Sequence, residues 1–114
     1  MVRRYKRVLG LDGWVVGVGV VQNLGGDETP LMGQIEVQPL TMSAVLLVRR
    51  GLDDSDCERT VFHELLHILL SDMKQVSESL IDDIDPSAQG PLRELLHQSE
   101  ERTALALERA VFGM

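Results

Sequence analysis

The chain of 114 residues is 44% hydrophobic and 25% charged, an ordinary balance for a soluble globular protein and enough for one domain over residues 1–114 with a modest core. Its net charge of −7 is uneven: residues 1–50 hold six Lys/Arg against four Asp/Glu, and residues 51–114 hold five against fourteen, which argues against a nucleic-acid surface on the acidic half. No apolar run reaches the length of a membrane span. Asp12 and recurrent glycines interrupt the run after the basic start, so it does not read as a signal peptide. Cys57 stands alone and fits a reducing, cytoplasmic compartment.

The first fifty residues read as β. A short, slightly basic strand is expected around Tyr5–Leu9. Trp14–Val21 is rich in β-branched residues, with glycines that mark a bulge or a close backbone approach. Asn23–Pro30 is a turn or loop cluster. Met32–Gln38 alternates apolar and polar until Pro39 ends it, and Ala44–Val48 is a third apolar run. Short connections make an antiparallel sheet the simplest topology, with a mixed sheet as the alternative.

The second half reads as helix, giving an α+β chain. Gly51–Asp54 turns the chain, and Ser55 with Glu58 three residues on forms a capping box. The helix that follows should run to about Ser71 or Asp72. Val76, Leu80 and Ile84 suggest a separate short amphipathic helix over 75–84. Residues 85–91 form a break, and Pro91 suits the start of a last helix ending at Phe112, before Gly113.

The central helix carries His63-Glu64-Leu65-Leu66-His67. Residues four apart share a helix face, so the two imidazoles can hold one metal ion. Glu64 leans toward the same face and can take a proton from a water activated by that ion. The polar residues here, Thr60, His63, Glu64, His67 and Ser71, form one stripe on an otherwise apolar helix. Burying such groups without partners is costly. The alternative is that both histidines are hydrogen-bonded core residues. Cys57, six residues before His63, falls on another face and reads as a core or near-surface thiol.

Two histidines leave a catalytic metal one protein ligand short. The candidates on the last helix are His97, Glu100 and Glu101. Glu100 lies on the apolar face with Leu92, Leu96, Ala104, Leu107 and Val111, and a carboxylate there needs a partner. Glu100 is therefore preferred. Glu101 lies further round, and His97 sits beside the site or at the surface.

A sheet leading into a helix with His63-Glu64-x-x-His67, then a later helix bearing a glutamate, resembles the gluzincin branch of the zincin metallopeptidases. The small size resembles the minigluzincins, and Glu100-Glu101-Arg102-Thr103-Ala104 resembles the glutamate-bearing helix of small phage and prokaryotic proteins of this kind. The resemblance implies a zincin-like fold, zinc, and hydrolysis of peptide bonds in a peptide or protein substrate. It also implies an edge strand that holds the substrate by strand addition. Ala44, Val45, Leu46, Leu47 and Val48, just before the helix, are the expected strand. The third histidine of the metzincins is absent, since residue 73 is Met, and Ala104 stands four positions after Glu100. Tyr5, His97 and Arg102 are the candidates for stabilising the transition state. The rival readings are a zinc-stabilised regulatory or binding module with little catalysis, and a metal-free interaction domain.

Overall fold

A computed structural model describes residues 1–26 and 31–113. Its elements are α1 (Val2–Val8), β1 (Val15–Val21), β2 (Gly33–Gln38), a 3-10 turn (Pro39–Thr41), β3 (Ser43–Arg49), α2 (Asp54–Asp82) and α3 (Pro86–Phe112). The fold is α+β: a small mixed sheet under two long helices. No helix among the described residues is long and apolar enough to cross a membrane.

The expected first strand is instead α1. Val2, Tyr5 and Leu9 recur at three- and four-residue spacing and turn one face to the core, while Arg3, Arg4 and Arg7 stay outside. Tyr5 meets Phe62 and Phe112 edge-on, with ring centroids 5.2 and 6.0 Å away. Its hydroxyl bonds Glu58, which also pairs with Arg4.

The sheet order is β1-β3-β2, with β1 parallel to β3 and β2 antiparallel to it. The antiparallel expectation holds for β2 and β3 only. β3 inserts between the two earlier strands, so Ala44–Val48 is the centre of the sheet and not an edge. Both rows of its backbone groups are paired, and it has none left for a substrate. Its two edges are paired but only one of its faces is covered, and Val45 on the other is 49% exposed. Ala44, Leu46 and Val48 point into the core, and Leu46 is fully buried. Of the expected loop at Asn23–Pro30, the chain turns through Gly26, and residues 27–30 lie outside the described residues.

Asp53, not Ser55, caps α2: its carboxylate accepts from the Asp56 backbone N–H at 2.7 Å. Glu58 is engaged by Arg4 and Tyr5, so the capping box does not form. The expected break near Asp72 is absent. No Gly or Pro lies between Leu52 and Asp85, and α2 runs on to Asp82 as one helix of about 43 Å. Asp85 then caps α3 by accepting from the Ser87 N–H at 3.0 Å, with Pro86 in the first turn. The last helix thus begins five residues before Pro91, which lies inside it, and ends at Phe112 as expected.

The core lies between β3, the first half of α2 and α1. Phe62, Leu65 and Leu66 of α2 pack with Leu46 at its centre. Gly33, at the start of β2, marks a close approach of sheet and helix. A Cβ there would run into the Thr60 side chain and come within 3.2 Å of Glu64 Cγ. Gly33 is what allows β2 to lie against the histidine-bearing stretch of α2.

Candidate metal centre

All five residues of the polar stripe on α2 line one cleft of about 1060 Å³, bounded by β2 on one side and α3 on the other. The arrangement follows from helical spacing. The inner face of α2 is apolar where it meets the sheet, and the polar stripe turns toward α3. The inward row of α3 is Glu100, Ala104, Glu108 and Phe112, every fourth residue, with Glu101 beside it.

The structure brings His63, His67 and Glu101 together: one ligand atom from each lies within 4.8 Å of the others, a group that could hold a metal ion. Glu101 Oε2 is 3.4 Å from His63 Nε2, and Glu101 Oε1 is 3.2 Å from His67 Nε2. Glu100, the preferred third ligand, is not in this group. It is inward as expected, with its side chain 8% exposed, but its Oε1 meets the other ring nitrogen, His67 Nδ1, at 2.6 Å. Glu101, the next residue along α3, stands beside the two Nε2 atoms in its place. Glu108, missed in the sequence, meets His63 Nδ1 in the same way at 3.1 Å. Its signal was available: it sits eight residues after Glu100, on the same row.

The hydrogen bonds constrain the protons. An ionised carboxylate only accepts, so each Nδ1 donates, to Glu100 and to Glu108. In a neutral imidazole the Nε2 atoms are then bare lone pairs, and both face the Glu101 carboxylate. Lone pairs facing a carboxylate repel unless a proton or a cation lies between them. Carboxylates that hold the far nitrogen of a metal-binding histidine are the usual support for such a ligand.

The charge balance points the same way. Glu64, Glu100, Glu101 and Glu108 all line the cleft. Lys74 offsets one of them: its Nζ is 3.3 Å from Glu100 Oε2, a buried oxygen with no hydrogen bond of its own. Burial pushes the Glu64 carboxyl above its usual range, the two histidines pull it down, and Glu101 and Glu100 push it up again. A divalent cation would relieve this excess of negative charge. The donor set of two imidazoles and a carboxylate suits such an ion.

His97 is exposed on the cleft wall. Tyr5 is buried in the core with its hydroxyl on Glu58, and Arg102 is exposed outside the cleft lining, so neither faces the site. Cys57 is free and half-buried against the core. No protein-family model, curated protein or solved structure matches the chain.

Proposed function

We propose that this protein is a small zinc-dependent peptidase of zincin-like architecture. His63, His67 and Glu101 would hold the metal, and Glu100 and Glu108 would orient the two histidines. The observation that carries this reading is the matched arrangement of the rings: each Nδ1 on a half-buried glutamate, both Nε2 atoms turned to Glu101. Bound zinc supplies a Lewis acid that polarises a carbonyl and lowers the pKa of water. Glu64 lines the same cleft, and burial raises its affinity for a proton. It takes the proton of the attacking water and delivers it to the leaving amine.

The substrate strand belongs on β2 in this reading, not on β3. β2 is an edge of the sheet and borders the cleft through Gly33, Gln34, Ile35 and Val37. An extended peptide added there would lie between the sheet and the histidines.

The test has two parts. Protein purified without added metal should contain one zinc per chain, and His63→Ala should lose it. Wild type should cleave members of a broad peptide library, and Glu64→Gln should not, with zinc and fold intact. Metal-free wild type would sink the proposal.

One observation favours a second reading, a zinc-stabilised binding module. Among the described residues, Ala104 is the only buried residue of α3, and the His–Glu contacts, with Phe112 against Phe62, join α3 to α2. A metal there would serve mainly to hold the helices together. Zinc at full occupancy with no cleavage of any library peptide would select this reading.

A further inference from the structure

We infer that the protein pairs with a second copy of itself through β1, forming one continuous six-stranded sheet around a two-fold axis at Val18. This rests on the sheet alone and is independent of the metal site.

The first observation is backbone chemistry. The Val15 N–H donates to Met42 O, and Val21 O accepts from the Arg50 N–H, so the odd-numbered residues of β1 turn their polar groups toward β3. By alternation, Val16, Val18 and Val20 turn theirs outward. No strand among the described residues pairs with that edge. Exposed edges are commonly blunted by a charge, a proline or a covering element. β1 has no charge and no proline.

The second observation is side-chain exposure. Val16, Val18 and Val20 lie on the same face as the buried Ala44, Leu46 and Val48, by register. Yet Val18 is 53% and Val20 60% exposed, because α2 lies across β2 and β3. The core face of the sheet runs on past its cover.

The third observation identifies the occupant. β1 reads Val-Val-Gly-Val-Gly-Val-Val, the same in both directions. An antiparallel copy centred on Val18 sets Val16 against Val20, Gly17 against Gly19, Val15 against Val21 and Val18 against its counterpart. The pairs 16–20, 18–18 and 20–16 are the ones whose backbone groups point outward, so each exchanges two hydrogen bonds and the whole free row is satisfied. Their side chains join the uncovered valines of both copies into one apolar strip. Gly17 has open space beside it and no left-handed backbone to require glycine. In the pair it meets Gly19, where two backbones come close. Charge also selects this edge. The molecule carries −7, but residues 13–26 hold no charged side chain, so two copies meet there without ionic repulsion at the contact.

The test is sedimentation of the full chain over a range of concentrations, with register checked by cross-linking. Wild type should be a dimer that dissociates on dilution. Val18→Lys sets two ammonium groups across the axis. It should weaken association roughly tenfold or more and leave the circular dichroism unchanged. In a Cys57→Ser background, Val18→Cys should form a disulfide-linked dimer on mild oxidation, because residues in a hydrogen-bonded pair have Cα atoms about 5.5 Å apart, within disulfide range. Val20→Cys is as exposed but should not, because its counterpart lies about 13 Å away along the strand. A monomer at every concentration would overturn the proposal, including one that instead takes up a foreign extended peptide. So would a dimer that Val18→Lys leaves intact, or equal cross-linking at positions 18 and 20.

Discussion

Gly33→Ala tests the contact between sheet and helix. The new methyl would collide with Thr60 Cγ2 and press on Glu64 Cγ at 3.2 Å and Leu47 O at 3.4 Å. Thr60 is buried and β-branched, so its methyl cannot swing aside cheaply. Overpacking of this kind costs about 1–3 kcal/mol. The stiffer alanine backbone returns about 0.4–1 kcal/mol through the unfolded state. The net expectation is a loss of about 1–2 kcal/mol, or roughly 4–8 °C in Tm for a chain this size. Thr60→Ser removes the colliding carbon and should by itself cost about 1 kcal/mol for the lost methyl. In the double mutant the clash is gone, so the losses should fall short of additive by about 1 kcal/mol or more. The assay is urea and thermal unfolding of the four proteins in chelator, so that metal binding does not mask the difference. Additive losses, or a Gly33→Ala protein as stable as wild type, would refute the claim that Gly33 is there for close approach.

In chelator competition, Glu101→Ala should lose more zinc affinity than Glu100→Gln or Glu108→Gln, each of which should lose about 10–100-fold as supports of a ligand. A larger loss in Glu100→Gln would restore Glu100 as the ligand. Leu46→Ala should cost about 3–5 kcal/mol in urea unfolding and Val45→Ala, on the open face, under about 1 kcal/mol; equal losses would contradict the inward face of β3. Glu58 gives a pH test. Its hydrogen bond from Tyr5 and the nearby Arg4 hold its carboxyl below the usual value of 4.5. The folded state therefore binds that proton less tightly than the unfolded one. The stabilisation is present above pH 4.5 and lost as pH falls through the lower folded value. Tm of Glu58→Gln should fall less than that of wild type across this acid window, and parallel curves would discount the contact.

The elements with strong local signals were legible. Three of the strands appear within a residue of where alternation and turn residues put them, and the histidine stripe of α2 faces one cleft. Two failures were local, the spacing of Val2, Tyr5 and Leu9 in α1 and the lack of a break near Asp72 in α2; the others depended on partners far away in sequence. The order of β3 between β1 and β2 is set by which strands meet, and nothing within Ala44–Val48 records that. Ser55 and Glu58 have the spacing of a capping box, but Arg4 and Tyr5, fifty residues earlier, take the glutamate. The face of α3 was misread for a related reason. Apolar logic turns Leu107 and Val111 inward, yet both are exposed, because the surface that α3 meets is a row of imidazoles that selects glutamates. Glu100 was found because it interrupts an apolar pattern. Glu108 was not, because it looked like one more solvated acid.

The length of α2 has its own consequence. The sheet it crosses is built from strands of about 20–24 Å, and the helix is about 43 Å long. Its last turns and the first turns of α3 extend past the sheet as a hairpin. Met73, Val76 and Leu80 are exposed there, and Ile81 is the only buried residue of α2 beyond Ser71. Cooperative opening is graded by how much apolar contact each region would lose. Amide hydrogens of residues 74–95 can therefore exchange through a partial opening that leaves the sheet and the turns around His63 closed, and the two ends of the same helix have different lifetimes.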